Sequence, residues 1–108
     1  MRQLKHPKIE EVELIDVMYA LSDPTRVQIL LTLARKGRAM TCGELVIDRP
    51  KSSMSHHFKI LRGAGLVKTV IKGTEHINSL RLAELEERFP AVMSSILKSF
   101  DSLELSVG

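Results

Sequence analysis

The sequence predicts a mainly α-helical fold with one small β-hairpin, and three observations support this prediction. Apolar residues recur at helical spacing in several short segments, which indicates amphipathic helices. Residues that begin or end helices separate these segments, as Asp23-Pro24 and Gly37 do. Two β-prone runs flank the dipeptide Gly73-Thr74, which is typical of a hairpin. Since 108 residues is the length of one domain, we expect residues 1–108 to form a single unit.

Composition narrows the functional classes. A hydrophobic share of 44% favours a folded protein, and no apolar run approaches the roughly 20 residues that a membrane span needs. Residues 1–13 alternate in charge and lack the apolar segment of a signal peptide, so we expect a cytoplasmic protein. Cys42 is the only cysteine, which excludes an internal disulfide and a cysteine-based metal cage within one chain.

The charges are unevenly distributed along the chain. The segment from Arg49 to His76 holds six lysines and arginines against one acid, a net charge of +5, whereas acids concentrate near both ends. A basic centre between acidic flanks predicts one face for a polyanion and other surfaces for protein. A solvated charged surface would give the same totals, so the local structure has to decide.

Helices are predicted in the first half of the chain. The first runs from about Glu10 to Leu21 and carries one apolar stripe, whose partner can be another chain, formed by Val12, Ile15, Met18 and Tyr19. Asp23 is the expected N-cap of the second helix, which ends before Gly37 and turns inward Val27, Leu30, Leu31 and Ala34. Thr41 and Glu44 have capping-box spacing, which predicts a short third helix to about Ile47.

A fourth helix is predicted after the turn Asp48-Arg49-Pro50. At about 100° per residue, one face forms a buried stripe made of Met54, Phe58 and Leu61. The opposite face shows small or polar residues, namely Ser52, Ser55, His56, Lys59 and Gly63. Gly65 suits a left-handed C-cap, with Leu66 packed back on Leu61. Small hydroxyls let such a helix approach DNA closely, where serine, histidine and lysine can bond to phosphates and base edges.

The predicted hairpin adds a projecting wing. Its strands are Leu66–Lys72 and Glu75–Leu80, and a two-residue turn at Gly73-Thr74 sets Lys72 opposite Glu75 as an ion pair and Val70 opposite Ile77 as an apolar pair. Three helices, a presented helix and a hairpin predict a winged helix-turn-helix, in which the presented helix enters the major groove and the wing, Lys72 to His76, reaches the adjacent backbone or minor groove.

The carboxy-terminal third carries a long apolar stripe: Leu82, Leu85, Phe89, Val92, Met93, Ile96, Leu97, Phe100 and Leu103. It predicts a short helix over Ala83–Arg88 and a longer one from Pro90, in its first turn, to about Leu105. We expect residues of about 9–21 and 82–105 to form a homodimer that sets two presented helices about 34 Å apart. The alternative is that the last helix only closes its own domain.

Four stretches resemble the ArsR-type (arsenic-repressor-like) bacterial transcriptional regulators in order, over roughly residues 10–85: "ALSDPTRVQILLTL", "CGEL", "SSMSHHFKILRGAGLV" and "KGTEHINSLR". The resemblance implies a homodimeric repressor that binds a palindromic operator, often in its own promoter, and releases it when an effector binds. Ser52 to Gly63 would then be the recognition helix, with the wing tip at Lys72 to Glu75. The expected DNA-binding residues are Lys51, Ser52, Ser53, Ser55, His56, Lys59, Arg62, Lys72, Gly73 and Thr74.

The sequence departs from the metal-sensing members of that family. Those carry a cysteine pair on the third helix, or Asp/His and His/Glu sets across the terminal helices. This chain offers only Cys42 at the start of its third helix, and neither histidine nor cysteine from Ala83 to Gly108. We therefore predict a regulator that needs no cofactor and lacks the classical metal sites, with its effector unidentified. A site built from His6, His76 and carboxylates of two chains stays open.

Three other functions are open to the sequence. His56 and His57 diverge by about 100° on a helix and cannot form a catalytic or metal pair. No nucleophile, base and acid converge in the sequence, so no enzyme activity is predicted. His57 is expected to support the helix from the edge of the core. Cys42, near a helix amino terminus, could act as a redox sensor or be a small core residue. A winged helix used as a protein-interaction module is the remaining alternative.

Overall fold

The computed structural model describes residues 4–45 and 51–103, with the backbone alone for Lys51 and Ser52. A short 3-10 helix comes first, and the elements follow in the order Ile9–Glu11, α1 (Leu14–Ala20), α2 (Pro24–Lys36), β1 (Met40–Thr41), α3 (Lys51–Gly63), β2 (Val67–Lys72), β3 (Glu75–Leu80), α4 (Leu82–Arg88) and α5 (Val92–Ser102). The three strands form an antiparallel sheet in the order β1-β3-β2. The predicted mainly helical, winged fold is confirmed. Among the described residues, no helix is both long and apolar enough to cross a membrane.

One core joins all the helices to the sheet. Its fully buried large side chains come from α1, α2, α3, the start of β2 with the residue before it, and the two last helices, and include Val17, Ile29, Leu30, Leu61, Leu66, Val67, Leu85 and Met93. The predicted inward positions of α2 are confirmed for Val27, Leu30 and Leu31, but Ala34 is exposed and that prediction was wrong. The predicted cap is confirmed, because the Asp23 carboxylate accepts hydrogen bonds from the backbone of Thr25 (2.8 Å) and Arg26 (3.2 Å).

The first predicted helix is divided in two. In place of one helix over Glu10–Leu21, the chain forms the 3-10 turn and then α1. Between them Val12 is extended and only 2% exposed, and Arg88 Nε donates a hydrogen bond to its carbonyl (2.8 Å). Because this carbonyl serves Arg88 and the side chain enters the core, a continuous helix cannot pass through Val12.

The connection after α2 forms a strand that was not predicted. Thr41 and Glu44 make both capping-box hydrogen bonds, at 2.9 and 3.1 Å, as their spacing indicates. However, Met40 and Thr41 pair with Asn78 and Ile77 of β3, and residues 42–45 form a turn. The remainder of the predicted third helix and the turn at 48–50 lie outside the described residues.

The hairpin is confirmed in strands and register. Lys72 pairs with Glu75 and Val70 with Ile77, and the turn between the strands begins with Gly73 at φ 60°. Within the described part of the chain, the charged ends of Lys72 and Glu75 do not form the predicted ion pair.

The two last helices pack against their own domain. Pro90 lies before α5 and not in its first turn, because Ala91 adopts φ 67° and the Glu86 carboxylate accepts hydrogen bonds from the backbone of Ala91 (2.7 Å) and Ser94 (2.9 Å). Met93 and Leu97 are buried in the common core. Through these two side chains the last helix closes its own domain, as the alternative to dimerisation predicts. The predicted end at Leu105 lies outside the described residues.

Candidate nucleic-acid interface

α3 presents the predicted face to solvent. Met54, Phe58 and Leu61 are buried on its inner side, while Ser55, His56, Lys59 and Gly63 are exposed on the outer side. Ser53 is half-buried at the flank of this face, and Arg62 is half-buried near its carboxyl end. The predicted Lys51 and Ser52 lie in the first turn of α3. The result is a helix held firmly from below whose outer surface carries small hydroxyls, an imidazole and an ammonium group.

Gly65 fixes where α3 ends. The backbone N–H of Leu66 donates to the carbonyl of Leu61 (3.0 Å), the bond of a Schellman ending, and Gly65 has φ 85°. A Cβ at Gly65 would lie 2.3 Å from Val12 Cγ2, well inside any permitted contact. Glycine is therefore required twice, for its backbone conformation and for the close approach of Val12.

The wing is the hairpin of β2 and β3, and β2 contacts α3. Lys72, Gly73 and Thr74 are exposed at its tip, and Lys68 is exposed further down β2. The predicted wing residues thus lie together at the tip of one hairpin. They follow the α3 residues in the sequence and belong to the same domain.

A buried amide stiffens the base of the wing. Asn78 is fully buried in the central strand; its Oδ1 accepts a hydrogen bond from the hydroxyl of Thr69 (2.7 Å), and its Nδ2 donates to the carbonyl of Met40 (3.3 Å) and to Cys42 Sγ (3.3 Å). One side chain therefore connects all three strands. Cys42 is half-buried against the core, and its redox role stays a prediction.

The segment before the first helical turn closes the outer edge of the wing. His6 Nε2 accepts a hydrogen bond from the backbone N–H of Thr69 (2.9 Å), and Arg81 Nη1 donates to the carbonyl of Pro7 (2.9 Å). Burial, followed by the positive charges of Arg81, Arg62 and Lys68, lowers the pKa of His6. The hydrogen bond from Thr69 likewise requires Nε2 of His6 to be unprotonated. No group of three or more metal-binding side chains forms within the described ranges.

A buried arginine supports α3 from beneath. The Arg26 guanidinium contacts His57 Nδ1 (3.2 Å) and donates to the carbonyls of Ala20 (2.7 Å) and Tyr19 (3.3 Å). His57 is 9% exposed, which confirms the expected supporting position at the edge of the core. Asp23 Oδ1 lies 3.9 Å from His57 Nδ1. Partial burial acts to raise the pKa of Asp23, but the backbone amide of Arg26, the nearby His57 ring and the backbone amide of Thr25 hold it below its usual value.

Several of these supporting residues were not predicted from the sequence. The spacing of Arg26 could have indicated that it is buried. It precedes Ile29 by three residues and Leu30 by four, which places its charge on the apolar face of α2. The predicted hairpin register sets Asn78 opposite Thr69, but the sequence does not indicate the bond from Asn78 to Met40, 38 residues away, or the bond from Thr69 to His6, 63 residues away.

Known proteins resemble this chain in sequence. A family model described as a helix-turn-helix domain matches residues 21–70. The transcriptional repressor SdpR of Bacillus subtilis is 34% identical over 90 residues, which cover 82% of this chain and 98% of SdpR. An uncharacterized HTH-type transcriptional regulator of Methanocaldococcus jannaschii is 40% identical over 62 residues, covering 55% of this chain and 67% of that protein.

A solved structure shows the same fold. The crystal structure of an ArsR family transcriptional regulator matches with a TM-score of 0.62 and 25% identity, over 95% of this chain and 100% of that one.

Proposed function

This chain belongs to the ArsR-type winged helix-turn-helix family of DNA-binding transcriptional repressors, and we propose that it acts as a homodimer on a palindromic operator. In this proposal α3, the recognition helix, enters the major groove and the wing tip contacts the adjacent backbone or minor groove. We propose a cytoplasmic location, because a bacterial repressor of this type acts on the chromosome.

The outer face of the recognition helix carries this proposal. Ser55, His56 and Lys59 are exposed together on a helix whose other side is anchored in the core. Lys59 and the wing's Lys72 supply charge to phosphates, and His56 is placed to reach base edges. Ser53 and Arg62, half-buried at the flanks, are proposed as contacts at the margin of the groove.

The remaining predicted contacts lie at the two ends of this surface. Lys51 and Ser52 begin the recognition helix, and Gly73 and Thr74 form the turn of the wing. An amino-terminal first turn near a phosphate is favoured because its backbone N–H groups have no partners within the helix.

Exposed apolar residues support the dimer. On α1, Ile15 is 71% exposed, Met18 56% and Tyr19 61%, and Leu103 after α5 is 75% exposed. Three such side chains on one short helix form a patch of the kind that monomeric proteins seldom leave in water. We propose that α1 and the end of α5 meet their copies across a two-fold axis, the isologous arrangement that matches a palindrome.

Dimer geometry supplies the mechanism. Specific binding requires both recognition helices to be placed at once, so a change in the angle between subunits alters operator affinity without touching the DNA face. Occlusion of the promoter is the output. We propose that whatever changes the angle does so without the family's classical metal sites, for which this chain lacks the ligands.

Selection from a random-sequence duplex library tests the function directly. We expect the protein to enrich a palindrome whose half-sites lie one helical turn apart, and a scrambled version to bind as weakly as unselected DNA. Recovery of no common sequence would contradict the proposal.

Sedimentation tests the dimer. We expect Met18→Asp to give a monomer that loses selective binding, whereas Ala34→Asp, a matched charge on an exposed face of α2, leaves the dimer intact. A monomeric wild-type protein at micromolar concentration would contradict the dimer and leave DNA binding to be judged by the selection.

A further inference from the structure

The buried guanidinium of Arg26 contacts both α1, the helix proposed for dimerisation, and α3, the helix proposed for DNA binding. Arg26, the third residue of α2, is 5% exposed, and its guanidinium has hydrogen-bond partners on α1 and on the recognition helix. A buried charge is costly unless it is fully satisfied, so this arginine is held by a specific set of acceptors.

Two of these acceptors close the end of α1. The carbonyls of Tyr19 and Ala20 belong to the last turn, where carbonyls lack partners within the helix. Arg26 Nε donates to Ala20 at 2.7 Å and Nη2 to Tyr19 at 3.3 Å. The Tyr19 ring also stacks on the guanidinium, with Cζ 5.4 Å from the ring centroid. Tyr19 is exposed beside Met18 on the apolar face of α1. A contact that displaces this face therefore also displaces the Tyr19 ring and the two carbonyls relative to Arg26.

The third acceptor belongs to the recognition helix. Arg26 Nη1 lies 3.2 Å from His57 Nδ1, in the buried interior. A guanidinium can only donate hydrogen bonds, so this contact is a hydrogen bond only when Nδ1 is unprotonated and the proton of the neutral ring is on Nε2. His57 directly precedes Phe58 in the core and follows His56 on the DNA face, so its position sets the rotation of both.

We propose that Arg26 is a positioning residue that couples the dimer face of α1 to the seat of the recognition helix. The inference rests on the proposed function and extends it: the planar fork of the guanidinium converts a shift of α1 against its copy into a shift of His57. Lysine at this position would keep the charge and lose the fork, since it cannot hold three acceptors in one plane.

Nuclear magnetic resonance of the ring nitrogens tests the contact itself. In wild-type protein at neutral pH we expect His57 to carry its proton on Nε2 only, and in Arg26→Lys we expect that tautomer preference to be lost. Protonation of Nδ1 in the wild type would mean that His57 pairs with Asp23, 3.9 Å away, and would overturn the inference.

Binding to the selected palindrome and to its scrambled version tests the coupling. We expect Arg26→Lys to lose about tenfold in affinity for the palindrome, a typical coupling, with affinity for scrambled DNA unchanged, both measured at protein concentrations where sedimentation shows the variant to be a dimer. Lys36→Arg, at the exposed end of the same helix, is the control and should bind as wild type.

Two substitutions of His57 keep the test decisive if Arg26→Lys fails to fold. Asparagine places its amide oxygen close to the Nδ1 position and can still accept, whereas leucine cannot. We expect His57→Asn to keep selective binding and His57→Leu to lose it. Equal binding by His57→Leu and wild type would overturn the inference alone; a wild-type protein that does not select a palindrome would overturn the proposed function, and the inference with it.

Discussion

Replacement of Gly65 by alanine should destabilise the protein more than the same change at any open glycine. Gly65 ends the recognition helix at φ 85°, and a Cβ there would lie 2.3 Å from Val12 Cγ2. A left-handed backbone costs a non-glycine residue about 1–2 kcal/mol. Forced repacking of a core neighbour adds about 1–3 kcal/mol. The free energy of unfolding of Gly65→Ala should therefore fall by about 2–5 kcal/mol relative to wild type.

Gly37 provides the matched control. It ends α2 at φ 65°, but a Cβ there meets nothing within 4 Å. Gly37→Ala should show the backbone cost alone, about 1–2 kcal/mol. The difference between the two variants then measures the contact with Val12.

Urea denaturation followed by circular dichroism gives both free energies, provided that the slopes of the transitions agree. In the double variant, Val12→Ala should relieve part of the Gly65→Ala loss, since the two sites share one contact. Equal losses at Gly65 and Gly37 would refute the reasoning, because they would show that Val12 yields at no cost and that the end of the recognition helix is not fixed by this contact.

Three further predictions concern charge, capping and the buried amide. Lys59→Ala should reduce the slope of log affinity against log salt by about 0.9, as one fewer phosphate is neutralised, while Lys98→Ala on α5 leaves it unchanged; equal slopes in a salt titration would contradict this. Because the pKa of Asp23 is lowered on folding, its carboxylate stabilises the protein above its unfolded pKa, and this contribution is lost as pH falls through the folded value. In denaturation at several pH values, the free energy of unfolding of Asp23→Asn should therefore fall less steeply with acid than that of the wild type. An identical pH dependence would count against the cap. Asn78→Leu should lower the free energy of unfolding by about 1–3 kcal/mol, because the Thr69 hydroxyl loses its buried acceptor, and a neutral result in thermal melts would refute this account.

The parts of the fold that could be predicted are those that depend on near neighbours in the sequence. The Asp23 cap, the Gly65 ending and the Gly73 turn each act within a few residues, and all three are confirmed. The buried stripe of the recognition helix follows from its period alone, and this period also determines which side chains face outward.

The features that were missed depend on distant partners. Met40 and Thr41 form a strand only because β3 lies beside them, and two residues carry no alternation to indicate it. Val12 leaves its helix because Arg88, far along the chain, takes its carbonyl. For the candidate site, the outer face was predictable, whereas Arg26 and His57 meet across 31 residues, and their contact could not be read from spacing.

The central claim is that the outer face of the recognition helix reads DNA. The most direct measurement is fluorescence anisotropy of the selected palindrome and its scrambled version with wild-type protein, His56→Ala and the control Ser94→Ala, which is exposed on α5. We predict that His56→Ala loses about 1–3 kcal/mol of discrimination between the two duplexes, as a base contact would. Ser94→Ala should match the wild type. Discrimination that survives in His56→Ala, or that is absent from the wild type, would contradict the claim.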